Sequence, residues 1–393
     1  MSNEMKKTAL PKLRFPEFED APEWEAKKLD AVTISITPPK KLQTTEYLKE
    51  GSFPIIDQSQ SFICGWTNDS AALIEKNLPL IIFGDHTCAL KLAKVPFAQG
   101  ADGIKILKSN QLIESNFLYQ YLLFNPVKQE EYKRHYSILK EKVVCYPQKE
   151  TGEQQKIAAT LSSLDDLITA QNAKLAALQA HKRGLMQGLF PAEGETVPKL
   201  RFPEFQEAEE WEEKKLDEIA RRGSGHTPSK SNPENYNGGI KWISLADSKR
   251  LDNGLITKTA TEISMAGIKN SSAVLHPAGT VLISRDAGIG KSAVMGESMA
   301  VSQHFIVWVC NSDSLNNWFL YYLLQKSKPL FERAAIGSTI KTIGLQFFKD
   351  LVFLIPSFAE QQRIADCLSS LDNLITAQTQ KIEALKLHKR GLM

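Results

Sequence analysis

Apolar residues recur in alternating four- and three-residue steps in two stretches of the chain. In the first, Ile157, Leu161, Leu164, Ile168, Leu175 and Leu178 keep the step, and Gln171 stands at the one polar place. In the second, Ile364, Leu368, Leu371, Ile375, Ile382 and Leu385 keep it, and Gln378 fills the same gap. A four–three step sustained over several turns keeps one apolar stripe aligned on a helix, so both stretches are expected as long helices with a coiled-coil seam. Thr151 with Gln154, and Ser357 with Glu360, are expected as capping boxes at their starts. His181, Lys182 and Arg183 stand near the expected end of the first helix, where cations suit the dipole, and Gly188 and Pro191 supply the stop. Alanines 158, 159, 173, 176, 177 and 180 would allow a neighbour to approach closely.

The remaining apolar pattern is shorter. FPIIDQ (53–58), LPLIIF (78–83), GIKIL (103–107) and KVVCYP (142–147) read as strands, and SNFLYQYLLFN (115–125) reads as a helix. IKWISL (240–245), GTVLIS (279–284), HFIVWVC (304–310), helical NNWFLYYLLQK (316–326) and DLVFLIP (350–356) repeat that order. Short strands punctuated by glycine, with a helix near the end, predict mixed α+β modules that share one fold.

The order repeats because the chain is an internal duplication. PKLRFPEF occurs at 11–18 and 198–205, and EWEAKKL at 23–29 returns as EWEEKKL at 210–216. The helical stretch 153–186 returns at 360–393 with 24 identities in 34 positions. The first two pairs are offset by 187 residues and the last by 207, so the intervening segment is 20 residues longer in the second copy. Near-identical pieces thus flank two divergent inserts. The reading is an arm at 1–29, a module at 30–152, a helix at 153–190, a linker and second arm at 191–216, a module at 217–359 and a helix at 360–393. If the second helix returns along the first, the pair is antiparallel and the modules are related by a pseudo-two-fold axis. Thirty-four helical residues span about 51 Å, on the order of 15 base pairs of duplex.

Composition narrows the class. The 393 residues carry a formal net charge of only +3, so any basic face must come from local clustering. Lys and Arg outnumber Asp and Glu by 15 to 11 over 217–359 and by 14 to 13 over 30–152. No apolar run reaches membrane-spanning length and the N-terminus has no signal-peptide core, so the chain is expected to be soluble, cytoplasmic and without membrane contact. Cys64, Cys88, Cys145, Cys310 and Cys367 show no C-x-x-C spacing; buried free thiols are expected, and no metal site.

The loops carry the candidate chemistry. In the second module these are GSGHTPSKSN (223–232), ISRDAGIGKS (283–292) and IGSTIKTIG (336–344); in the first, TPPKKLQ (37–43), SQSFICGWTN (59–68), FGDHTC (83–88) and HYSILKEK (135–142). Their mix of cations, hydroxyls, amides and aromatics suits phosphate contacts and base-edge reading. The candidates in the first module are Lys40, Lys41, Ser59, Gln60, Trp66, Asn68, Asp85, His86, Thr87, Tyr136, Ser137 and Lys140. In the second they are His226, Thr227, Ser229, Lys230, Arg285, Asp286, Lys291, Ser338, Thr339, Lys341 and Thr342. GIGKS (288–292) is not a phosphate loop, because Arg285 occupies the place of its leading glycine. No nucleophile elbow, HExxH or methyltransferase tetrapeptide occurs, so no catalytic residue is expected.

The tryptophan-bearing arm, a variable module, the EQQKIAATLSSLDDLI…KLAALQAHKRGLMQGLFP helix and then the whole again resemble the specificity subunit of type I restriction–modification systems, over essentially the entire chain. The resemblance implies that 30–152 and 217–359 are target-recognition domains, each reading half of a bipartite site in double-stranded DNA. It implies that the helices form an antiparallel spacer and dock two modification subunits, which carry S-adenosylmethionine and methylate adenine N6. It implies that motor–nuclease restriction subunits using ATP and Mg join them, and that this chain binds no cofactor. GHTPSK, SRDAGIG and GSTIKTI match the family's loop patterns and become the preferred DNA contacts. After KRGLM the first copy runs on into QGLFPAEG, whereas the second stops at Met393. An interaction scaffold holding two protein-binding modules accounts for the helices equally well but not for divergent polar-looped inserts; a methyltransferase or nuclease lacks its motifs.

Overall fold

The computed structural model describes residues 11–130, 134–337 and 341–393. The chain divides into two compact units: residues 1–172 with 381–393, and residues 173–380.

The run LPLIIF in the first unit is continuously apolar because its strand is buried on both faces. Alternate side chains of a strand point opposite ways. Ile81 and Phe83 pack on Phe117, Leu118 and Leu122 of the helix Ser115–Phe124, while Leu80 and Ile82 pack on Ile56 and Phe97 of a second sheet. The first sheet runs Thr33–Ile36, Ile104–Ser109, Leu80–Gly84, Leu90–Ala93, all antiparallel. The second runs Gly65–Thr67, Phe53–Ile56, Phe97–Gln99, Leu73–Ile74, and its central pair is parallel. The arm joins the domain: Glu25–Lys28 pairs with Val143–Tyr146 in a separate antiparallel ribbon.

The second unit has the same topology. Its first sheet runs Ala220–Ser224, Phe305–Cys310, Val281–Ser284, Ser292–Met295, and adds the edge strand Leu255–Ile256. Its second runs Thr261–Ile263, Tyr236–Ile243, Met299–Val301, Leu275–His276, again with a parallel central pair. Glu212–Lys215 pairs with Val352–Ile355, and the helix Asn317–Lys326 covers Val281, Ile283, Ile306 and Trp308. Among the described residues, the edge strand and the helix Lys328–Ala334 have no counterpart in the first unit, and the helix Met265–Lys269 stands where the first unit has only the short turn Ser70–Ala72.

The repeated arm motif has a structural cause. Arg14 makes two bonds to the Glu153 carboxylate, at 2.9 and 2.7 Å, and also donates to the carbonyls of Ala21 and Pro22. Trp24 Nε1 reaches the same carboxylate at 3.3 Å. In the second unit Arg201 and Trp211 do the same to Glu360, at 2.9, 2.8 and 3.4 Å. Both carboxylates are 1 % exposed. They fix the arm to the first turn of each long helix, Glu153–Gly188 and Phe358–Leu392.

These contacts correct the expected capping boxes. Ser357 Oγ accepts from Glu360 N at 3.3 Å, so the hydroxyl half of the motif is made there, whereas Thr151 Oγ1 accepts from Glu153 N at 3.2 Å, one residue short of the expected Gln154. The reciprocal half is absent, because the acid or amide serves tertiary contacts instead. Gln154 bonds Glu114 N and the carbonyls of Leu112 and Pro147, and Gln361 bonds Asn316 N and the carbonyls of Ser314 and Pro356.

The seam residues are all buried or half-buried, as are Gln171 and Gln378. The first turns join the domain cores, through Ile157 and Ala158 in one unit and Ile364, Ala365 and Leu368 in the other. Further along, each unit brings the early part of one helix to the late part of the other. Lys389 pairs with Asp165 at 2.6 Å in the first unit, and Lys182 with Asp372 at 2.5 Å in the second. This is the antiparallel sense. Lys182 therefore serves an ion pair rather than a helix end, which lies further on at Gly188. Of the six alanines only Ala158 is buried; the others face outward. The five cysteines are unpaired and half-buried rather than buried, with burial pushing the Cys64 thiol up to about 11. Among the described residues no helix is long and apolar enough to cross a membrane.

Candidate nucleic-acid interface

In each unit three polar loops meet at one connection, where the chain leaves the second sheet and enters the first. In the second unit this connection is residues 302–304. Thr227 Oγ1 donates to Gln303 Oε1 at 2.7 Å, which brings in loop 223–232. Arg285 N donates to the His304 carbonyl at 3.0 Å, and the Asp286 carboxylate bonds His304 Nδ1, which brings in loop 283–292. Thr342 donates to Asp286, and Ile343 N donates to the Arg285 carbonyl at 2.9 Å, which brings in loop 336–344.

The first unit repeats the arrangement at residues 100–103. Lys41 pairs with Asp102 at 2.7 Å. Asp85 N donates to the Gly103 carbonyl at 2.6 Å, and His135 N donates to the Asp85 carbonyl at 2.9 Å. Loops of different sequence thus make equivalent backbone bonds at equivalent places.

The candidates divide by what already occupies them. Asp85 is buried and accepts from Tyr136 N at 2.7 Å, so it holds the 134–140 segment. Thr87 donates to the Gln58 carbonyl at 2.5 Å, and Gln129 Nε2 reaches the His86 carbonyl at 3.3 Å. Asn68 accepts from Ser52 N at 2.9 Å, and Trp66 exchanges backbone bonds with Leu48; both brace the 48–53 turn, and no hydrogen bond joins them to the meeting point among the described residues. Ser59 bonds locally to Asp57 and Ser61, beside an exposed Gln60. Beneath that loop Lys91, lowered by burial from the ordinary lysine range, donates to the carbonyls of Asp57 and Ser61 at 2.8 and 2.5 Å. Lys40 pairs with Asp69 at 2.8 Å. Ser137 caps back on the Arg134 carbonyl.

Tyr136 anchors a cationic patch in the first unit. Its hydroxyl bonds Ser35 at 2.7 Å, and the ammonium groups of Lys105 and Lys140 stand 5.3 and 5.6 Å from its ring centroid. Such placement attracts cations to the ring face. Lys105 was not legible as a candidate, since its strand reads only as core.

In the second unit, His226 is exposed and held by its backbone. His226 N donates to the Val301 carbonyl at 3.1 Å and its own carbonyl accepts from Trp242 Nε1 at 3.2 Å. Gly225 is obligatory here, because a Cβ would lie 1.6 Å from the Val301 carbonyl oxygen. Ser229 bonds Ser231 at 2.7 Å, and Lys230 is exposed and makes no ion pair among the described residues. Lys291, Lys328, Lys341, Asp286 and Glu332 line an open cleft of about 620 Å³. Gly290 forms part of the fold around it with φ +77°, and a Cβ there would press on Lys328 at 3.0 Å. The glycines of DAGIGKS therefore serve a turn, with positive φ at Gly288 and Gly290. Lys291 donates to the Ser248 carbonyl at 3.0 Å, and Lys341 is exposed. Ser338 and Thr339 lie outside the described residues. Gln303, His304, Lys328 and Glu332 are additions that no loop pattern singled out.

Tandem copies of one mixed fold, each gathering polar loops at one connection and each opening a long helix, define a duplicated DNA-specificity architecture. The chain belongs to the family described as the type I restriction modification DNA specificity domain, which it matches over residues 22–180 and 208–387, and it carries two target-recognition domains of a type I specificity subunit. It is 26 % identical over 383 residues to the EcoR124I/EcoR124II type I restriction enzyme specificity subunit of Escherichia coli, covering 90 % of each chain. Its fold is similar to the crystal structure of the type I restriction–modification S subunit from M. genitalium, with TM-score 0.63, 15 % identity and 94 % of each chain covered. It is also similar to a chain from a structural study of complex assembly and conformational transition of the type I R-M system, with TM-score 0.55, 16 % identity and 94 % and 96 % of the two chains covered.

Proposed function

We propose that residues 30–152 and 217–359 each read one half of a bipartite, asymmetric site in double-stranded DNA. The meeting of three polar loops at the same connection in both units carries this reading. It gives each domain one exposed face with cations, amides and hydroxyls, the set that positions on phosphates and reads base edges. The long helices set the unspecified gap between half-sites. With the arms they dock two modification subunits that bind S-adenosylmethionine and methylate adenine N6, and motor–nuclease subunits using ATP and Mg join for restriction. The chain itself binds no cofactor, catalyses nothing and works in the cytoplasm. The test is co-expression with the modification subunit and mapping of adenine methylation across a genome. A bipartite motif is expected; no methylation beside an active partner enzyme would overturn the reading.

A further inference from the structure

Two charged heads of opposite sign face the same cleft of the second domain without being spent on each other. Lys291 and Lys328 are engaged, with the Ser248 carbonyl and with Asp252 at 3.3 Å, and Asp286 is engaged by His304 and Thr342. Lys341 and Glu332 are exposed and make no ion pair or hydrogen bond through their side chains among the described residues. The backbone that carries Glu332 is anchored, while its side chain is exposed. Glu332 follows Phe331, which is fully buried and packs on Phe347 and Phe348 with ring centroids 6.1 and 6.3 Å away.

A carboxylate on a DNA-facing surface is repelled by every phosphate. What it can gain from DNA is a hydrogen bond from an exocyclic amino group, cytosine N4 or adenine N6, displayed in the major groove. A neighbouring ammonium donates to the acceptors beside that amino group, such as guanine O6 and N7. We propose that Glu332 is a base-reading residue of the second target-recognition domain, accepting from the amino group of one cytosine or adenine in its half-site. This rests on the DNA-reading function above. Lys341, which lines the same cleft and makes no ion pair among the described residues, offsets the repulsion that Glu332 would otherwise feel from the backbone.

The test uses the assembled methylase, binding a duplex panel in which each base pair of the mapped site is changed in turn. Glu332→Ala is expected to weaken cognate binding and to reduce discrimination at one base pair of one half-site, on the order of tenfold to a hundredfold. It is also expected to tighten binding to unrelated DNA, because repulsion is removed. Cytosine and adenine are told apart by which base pair at that position loses its advantage. Glu332→Gln, which keeps size and an acceptor, is expected to fall between. A solvated glutamate with no base contact predicts something different, the same factor of tightening on every duplex, and that result would overturn the assignment. A wild-type complex with no sequence preference would overturn the DNA-reading function as well; a wild-type preference left intact by Glu332→Ala overturns only the role of Glu332.

Discussion

At the scale of single residues, the clearest energetic commitments are the two buried clamps. Glu153 and Glu360 are removed from water and satisfied by an arginine and a tryptophan each. Removing one partner of a buried ion pair strands the other charge, at a typical cost of about 3–5 kcal/mol. Arg14→Ala and Arg201→Ala should each lower stability by that order in urea melts, whereas Lys27→Ala, at an exposed pair, should change little. Tyr47 offers a pH signature. Burial pushes its phenol up to about 12, above the unfolded tyrosine value near 10, while its oxygen accepts from Ala101 N at 2.8 Å. The folded state prefers the neutral phenol. This stabilisation is complete below about pH 10 and is lost as pH rises from about 10 to about 12. The advantage of wild type over Tyr47→Phe should shrink across that window; an advantage independent of pH would contradict the burial argument. Residue identity alone did not separate structural from functional loop positions. Asp85, Thr87 and Asn68 have the same chemistry as a DNA contact, but their partners lie 51, 29 and 16 residues away in sequence.

At the scale of elements, the bodies of the long helices were legible, because a four–three seam needs no knowledge of its neighbour, but their ends were not: the helices run Glu153–Gly188 and Phe358–Leu392 where 153–190 and 360–393 were expected. Leu368 is fully buried on that seam and Leu374 is 52 % exposed off it. Leu368→Ala should cost about 2–5 kcal/mol and Leu374→Ala within about 0.5 kcal/mol, read by thermal or urea unfolding. Inserting one heptad in both helices keeps the seam in register and adds about 10 Å, on the order of three base pairs. The methylated motif should then show a gap longer by that amount; an unaltered gap would sink the spacer role. Helix starts were less legible than helix bodies. Gln154 and Glu360 fit a capping box by spacing, yet both are drawn to the adjoining domain and arm, where burial makes their bonds stronger than a reciprocal cap in water.

At the scale of the whole molecule, the duplication makes each half an experiment on the other. Two inserts of unlike sequence hold the same sheet order, the same parallel central pair and the same meeting of loops. Replacing residues 217–359 by the corresponding segment of another family member should change one half of the methylated motif and leave the other half and the gap intact. Loss of both halves would mean that the domains do not read independently.

Sequence by itself determined the repeat, the seams, the order of the longest strands and the helix along each insert, and the family, since each is written in local periodicity or near-identical strings; the short strands that complete both sheets, and the sheet order, were not legible. Tertiary structure alone decided which loops share a face, that the arm is a strand and a clamp rather than a tether, and that Gln303, His304 and Glu332 stand where the polar loops gather. The reason is physical. Periodicity records how a segment meets its immediate surroundings, whereas a site is made by residues far apart in sequence, whose meeting follows from the packing of both sheets.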